Sequence, residues 1–228
     1  MTARIVFLCS GGGGNLRFIY EAAIQGWLGD AKVCGVITDR ECGASKFATQ
    51  KNIEHSVVDY SLSRQSALLD RIGMLDPDIV VTTVHRIVSD EIVCALQGRL
   101  INLHYSLLPA FGGLIGSMPV RKAMEYGVKF IGTTLHFVSE SVDSGVPIVQ
   151  SVTPIYPSDT VENIMDCQFQ CGSVCLFTGI INLIEPQTEK YPRVGMLELN
   201  KRSSFFNPAA SVPSHVTMES FWSGIKNW

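Results

Sequence analysis

A chain of 228 residues that is 46% hydrophobic and 17% charged can bury a sizeable core, which points to one large α/β domain, or one domain with an appendage, and excludes general disorder. Its net charge of −3 and pI near 5.9 supply no basic field for a nucleic-acid backbone or an acidic membrane, so neither is expected as a partner. Met1-Thr2-Ala3-Arg4 leads into Ile5-Val6-Phe7-Leu8 without the long apolar stretch of a signal peptide, and no later uninterrupted apolar run approaches the roughly 18 residues of a membrane span. A cytoplasmic protein is expected, and its seven cysteines, odd in number and without a compact framework, read as reduced thiols.

Arg4 to Leu8 is a short β-branched run that reads as a strand. It ends in Cys9-Ser10-Gly11-Gly12-Gly13-Gly14-Asn15, and Leu16 to Trp27 then has helical spacing. Glycines let backbone amides approach an anion, and the helix N-terminus adds its positive dipole. A phosphate or carboxylate is therefore the expected occupant of Ser10, Gly11, Gly12, Gly13, Gly14 and Asn15, with a plain tight turn as the alternative. A dinucleotide fingerprint competes, because the strand Ala31 to Thr38 ends in Asp39 at about the distance of a ribose-binding acid. Leu16, however, stands where the third glycine belongs and would hinder close helix–strand packing. The lysine of a Walker A loop is absent.

Gly43 to Lys51 reads as a helix, Glu54 to Val58 as a strand, Ser63 to about Leu75 as a helix and Ile79 to Val84 as a buried strand. The exit His85-Arg86-Ile87-Val88-Ser89-Asp90 leads to a helix over Asp90 to Leu96, and the strand Arg99 to His104 follows. Strands alternating with helices imply a parallel sheet with helices on both faces and ligands outside the carboxyl ends, where the glycine loop, the Val84 to Asp90 turn and Asn102/His104 can converge. On a strand Asn102 and His104 share one face. An amide donor beside an imidazole suits a reaction that builds negative charge on a carbonyl oxygen, such as acyl transfer; a hydrogen-bonded structural pair is the competing reading.

Ala110 to Gly116 is a glycine-rich apolar loop, Pro119 to Tyr126 a helix, Phe130 to Phe137 a strand, and Pro147 to Ile155 a second strand antiparallel to it. The turn between them carries Glu140 and Asp143, and taken alone Asp143 reads as a solvated loop carboxylate. Ser158-Asp159-Thr160-Val161-Glu162 starts a helix that runs to about Ile184. Cys167, Cys171 and Cys175 lie along one face of it; the spacing raises a metal or cluster site, but a buried packing stripe is preferred and no metal is expected. Tyr191 to Leu199 reads as a strand. A domain over residues 1–200 is then followed by a tail, residues 201–228, ending in a short amphipathic helix from Met218 to Trp228 that could dock on the domain or mediate association.

The order strand, Ser-Gly-Gly-Gly-Gly-Asn-Leu, His-Arg-Ile-Val-Ser, Ile-Asn-Leu-His-Tyr-Ser-Leu-Leu-Pro, Gly-Thr-Thr-Leu-His-Phe-Val and Asp143-Ser-Gly-Val-Pro-Ile resembles the phosphoribosylglycinamide (GAR) formyltransferase family and the wider folate-dependent N-formyltransferases, over roughly Arg4 to Ile184. The resemblance implies a Rossmann-like formyltransferase fold, mostly parallel with antiparallel strands late in the chain. It also implies 10-formyltetrahydrofolate as co-substrate, a small phosphorylated amine as acceptor, and a monomer or homodimer. Asn102, His104 and Asp143 become the catalytic trio, with His136 in support. By the same likeness the donor lies against Arg86, Ile87, Val88, Ser139, Glu140, Ser141, Val142 and Asp143, and the glycine loop holds the acceptor's phosphate.

There are departures: Tyr105 stands where the family commonly has Pro, the loop after Leu114 lacks a His-Thr-His-Arg stretch, and Gly172 falls where GAR formyltransferases carry a ribose-binding Glu. They leave room for another amine, such as an amino sugar or a hydroxyornithine-type amine. A formyl-folate hydrolase, a non-catalytic ligand-binding relative and a nucleotide-binding oxidoreductase on the same sheet are the alternatives.

Overall fold

The computed structural model describes residues 2–84, 86–185 and 192–226, so His85, Tyr191 and Trp228, which enter the sequence reading, lie outside the described residues. The chain divides into two compact units, Met1–Asn102 with Phe137–Val142, and Leu103–His136 with Asp143–Trp228.

The first unit alternates strand and helix: β1 (Arg4–Cys9), α1 (Gly14–Ile24), β2 (Lys32–Thr38), α2 (Gly43–Gln50), β3 (His55–Val57), α3 (Gln65–Leu75, preceded by a 3-10 turn at Leu62–Arg64), β4 (Ile79–Thr83) and α4 (Asp90–Ala95). The next strand, β5 (Leu100–His104), begins in this unit. Four pairings here are parallel: β2 lies between β3 and β1, and β4 between β1 and β5, with Thr82 opposite Asn102. Val6, Leu8, Ile37 and Val80 form one apolar cluster with Leu68, Ile72 and Leu75 of α3 and Ile92, Val93 and Leu96 from α4 and its end. Strand alternation sends the fully buried Ile5 and Phe7 to the opposite face, and α1 and α2 pack against β2. Helix α1 begins two residues earlier than its apolar spacing suggests and stops at Ile24, ahead of Gly26 at φ 68°.

In the second unit the elements are α5 (Met118–Tyr126), β6 (Phe130–Phe137), β7 (Pro147–Pro154), α6 (Val161–Ile184), β8 (Arg193–Leu199), β9 (Arg202–Ser211) and α7 (Glu219–Lys226). Here the pairings are antiparallel: β6 with β7, β7 with β9 and β9 with β8. The expected antiparallel pair late in the chain is thus present and is extended by β9, formed from residues whose composition reads as tail. Helix α6 starts where the Ser-Asp-Thr signal puts it, and the cap is Thr160, whose hydroxyl accepts from the Asn163 amide at 3.2 Å. Asp159 instead accepts from the Tyr156 amide at 2.7 Å and pairs with Arg202 at the start of β9. One window of α6 has a mean hydropathy of 1.4, long and apolar enough to cross a membrane, yet 78% of it is buried in the fold, which makes it a core helix.

The C-terminal helix docks through Trp222, which is 2% exposed. Its indole N–H donates to the Val216 carbonyl at 2.7 Å, and its ring meets Phe169 of α6 edge-on at 5.8 Å. Trp222→Ala is therefore expected to lower the unfolding free energy by roughly 3–5 kcal/mol in urea denaturation; an unchanged midpoint would mean that α7 does not belong to the core.

Candidate active site

In the first unit β1 delivers its chain into the glycine loop, and Gly13 caps α1 in the left-handed region at φ 76°. A Cβ on Gly13 would stand 3.0 Å from both Cα and Cβ of Ala44, and one on Gly43 would stand 2.8 Å from the Gly12 carbonyl oxygen. Glycine is thus required at 13 and 43, where the loop and the start of α2 touch, while side chains at Gly11 and Gly12 would meet nothing within 4 Å. Leu16, read as an obstacle to close packing, is 1% exposed and simply belongs to the core. Two nearby cations escape a local reading: Arg40 donates to the Ser10 carbonyl at 3.0 Å, and Arg17 stands in the first turns of α1 with its guanidinium 5.7 Å above the Phe47 ring. Burial pushes the Cys9 thiol at the end of β1 up to about 12, which keeps it neutral and removes it as a nucleophile.

Arg86, Ile87 and Val88 occupy the loop between β4 and α4, and Ser139, Glu140, Ser141 and Val142 follow β6. Both segments are anchored in the same cluster, by Val88 and Val138, and the Val138 amide donates to Leu100 O at 2.9 Å. The first is pinned by Gln65, a residue no local motif marks. Its buried carboxamide donates to Tyr60 O at 3.0 Å and Ile87 O at 2.8 Å, and accepts from the Ser89 amide at 2.6 Å. Ile87 and Val142 meanwhile leave 63% and 57% of their surface exposed.

In the second unit Asp143 is not a solvated loop carboxylate. Its side chain is 10% exposed, with Oδ2 3.3 Å from His104 Nδ1 and Oδ1 3.7 Å from His136 Nε2. The Gly113 amide donates to Oδ2 at 2.7 Å. The turn reaches this geometry because Asp143 takes φ 52°, a region that Asp enters more easily than most residues. His104 is 6% exposed, and its Nε2 lies 3.1 Å from the Phe111 carbonyl. Each ring nitrogen thus faces an oxygen of the protein, Nδ1 the Asp143 carboxylate and Nε2 the Phe111 carbonyl.

The chain from His104 to Gly113 is held from beneath by Thr134, fully buried on β6. Its hydroxyl donates to Ser106 O at 2.8 Å and accepts from the Leu108 amide at 3.1 Å, while the Gln150 carboxamide donates to it at 3.0 Å. Asn102 stands two residues before His104 on β5 and is half-buried. Cys167, Cys171 and Cys175 are all buried on α6; the Cys171 thiol donates to Ser204 Oγ at 3.3 Å, and burial raises Cys175 to about 12. That burial matches the packing stripe preferred for them.

The formyl transferase family profile matches residues 3–175. The chain is 34% identical over 168 residues to phosphoribosylglycinamide formyltransferase of Mycobacterium tuberculosis, covering 71% of this chain and 76% of that one. To the chloroplastic phosphoribosylglycinamide formyltransferase of Vigna unguiculata it is 33% identical over 170 residues, which is 71% of this chain and about half, 54%, of that relative's length. The crystal structure of glycinamide ribonucleotide transformylase 1 from Symbiobacterium toebii superposes with a TM-score of 0.76 at 29% identity, covering 90% of this chain and 94% of that one. With a Rossmann-like sheet, a glycine loop at the end of β1 and a carboxylate-bound histidine following a strand-borne asparagine, the chain belongs to the formyl transferase family.

Proposed function

We propose that this protein transfers the formyl group of 10-formyltetrahydrofolate to the amine of phosphoribosylglycinamide in the cytoplasm. The observation that carries the reading is the buried His104–Asp143 pair at 3.3 Å, on a chain whose strand β5 also bears Asn102. In the proposed reaction the neutral amine attacks the formyl carbon. The Asn102 carboxamide donates a hydrogen bond to the oxyanion that forms, and the His104 Nε2–H, which rests 3.1 Å from the Phe111 carbonyl, turns from that carbonyl to donate to the oxyanion as well. Asp143 holds His104 in orientation and takes part in moving the proton from the attacking nitrogen to N10 as the C–N10 bond breaks. The exposed apolar surfaces of Ile87 and Val142 suit a flat pterin ring, which supports assigning the donor to residues 86–88 and 139–143. The loop Ser10–Asn15, with Arg40 beside it, suits the acceptor's phosphate.

One observation favours a different acceptor on the same chemistry. Gly172 offers no carboxylate, and a side chain there would run into Leu103 Cδ2 at 2.8 Å and Tyr105 Cε1 at 3.0 Å, so a ribose diol would lack its acidic partner at this position. An amino sugar or a hydroxylated diamino acid is the second reading.

Spectrophotometric loss of 10-formyltetrahydrofolate, run with phosphoribosylglycinamide and with a panel of those amines, tests both. Turnover with phosphoribosylglycinamide is expected, with kcat falling about 10²-fold or more in Asn102→Ala and in His104→Ala at unchanged donor affinity. Donor binding without turnover on any acceptor, or variants within about twofold of wild type, would refute the mechanism; turnover on another amine alone would reassign the acceptor.

Gly13→Val forces a branched side chain into φ 76° and against Ala44, and so deforms the anion loop. Calorimetric titration is expected to show acceptor affinity lowered at least about tenfold while the donor binds as before; equal acceptor affinity would remove the phosphate from this loop.

A further inference from the structure

His104 is flanked by two side chains that share one resting place. A Cβ at Gly172, near the middle of α6, would lie 2.8 Å from Leu103 Cδ2, 3.0 Å from Tyr105 Cε1 and 3.3 Å from Thr133 Cγ2. Leu103 and Tyr105 are the residues immediately before and after His104, and Thr133 belongs to β6. Gly172 is buried, and its helical backbone does not itself call for glycine. Glycine is a poorer helix former than alanine, so what distinguishes this position is the space that glycine leaves. Strand alternation places Leu103 on the α6 side of β5 and His104 on the other, so the depth to which the flanks settle on α6 sets where the imidazole stands.

We infer that Gly172 is a positioning residue for formyl transfer: it seats Leu103 and Tyr105 against α6 and thereby fixes His104 between Asp143 Oδ2, at 3.3 Å, and the Phe111 carbonyl, at 3.1 Å. This rests on the catalytic role proposed for His104. A methyl at position 172 must displace the tip of Leu103 and the edge of the Tyr105 ring, and Thr133, which is fully buried, closes the third side. The displacement reaches His104 through the peptide bonds on either side of it. A misplacement of about 1 Å at a reacting group can cost about 10²-fold in rate, whereas the donor's ring system, assigned chiefly to residues 86–88 and 139–142, should bind as before.

The test is a double-mutant cycle on the full chain with Gly172→Ala, Leu103→Val and both together, measured well below each variant's melting temperature, with His104→Ala alongside. Gly172→Ala is expected to lower kcat about tenfold or more with the donor KM within about twofold. The pair should regain most of that loss, because valine removes the Leu103 methyl that the new Cβ would strike. Gly172→Ala with kcat within about twofold of wild type and only a lowered melting temperature would overturn the inference, leaving Gly172 as ordinary packing. So would a loss of kcat that Leu103→Val does not relieve. A fully active His104→Ala would refute the underlying mechanism itself, and so is distinguishable from failure of the Gly172 seat alone.

Discussion

A carboxylate withdrawn from water and shared between two imidazoles organises the second unit. The Asp143 side chain keeps only 10% of its exposure, and a charge so placed is tolerated only where partners replace its hydration. His104, His136 and the Gly113 amide are those partners, and each comes from a different stretch of chain: the end of β5, the body of β6 and the glycine-rich loop that follows β5. The positive φ at Asp143, Phe111 and Gly113 belongs to the same arrangement, since each bends the backbone where an ordinary turn would carry the group away. The layers beneath, Thr134 and Gln150 under the His104–Gly113 segment and α6 behind β6, hold that geometry.

The polar groups that do this work are buried and mutually satisfied, which is why they rigidify their surroundings. Gln65 does in the first unit what Thr134 does in the second: a single buried side chain bonds loop backbone outside its own element, at Ile87 and Ser89 in one case and at Ser106 and Leu108 in the other. The cysteines illustrate the opposite case. Cys167, Cys171 and Cys175 are fully buried, and Thr153 and Ser204 reach into the same seam, so these thiols act as small packing groups with weak hydrogen bonds.

The parts legible in the sequence were those that local chemistry dictates. Apolar β-branched runs gave β1, β4 and β5, the Thr160 cap gave the start of α6, and the strand spacing put Asn102 and His104 on one face. Strand β9 was hidden because its inward side is made by Ser204 as well as Phe206, while Phe205 points outward at 51% exposure, so apolar alternation runs against burial there. Ser204 is admitted by its bonds to Thr153 and Cys171, which no window of sequence contains. Asp143 looked like a solvated turn residue for the same reason: its partners lie 39 and 7 residues away at His104 and His136, and 30 away at Gly113. Gln65, Thr134, Arg40 and the space at Gly172 are likewise set by long-range contact and carry no local signature.

The proposed reaction depends most heavily on the Asp143 carboxylate, and replacing it by an isosteric amide isolates its charge. Formyl transfer by Asp143→Asn, measured beside donor binding and the unfolding midpoint, is the most direct measurement. The expected result is a kcat lowered by about 10²- to 10⁴-fold, the range of general acid–base contributions, with the donor still bound and the fold intact. A kcat within about twofold of the wild-type value would contradict the account, because the carboxylate would then be serving the loop's structure and not the reaction.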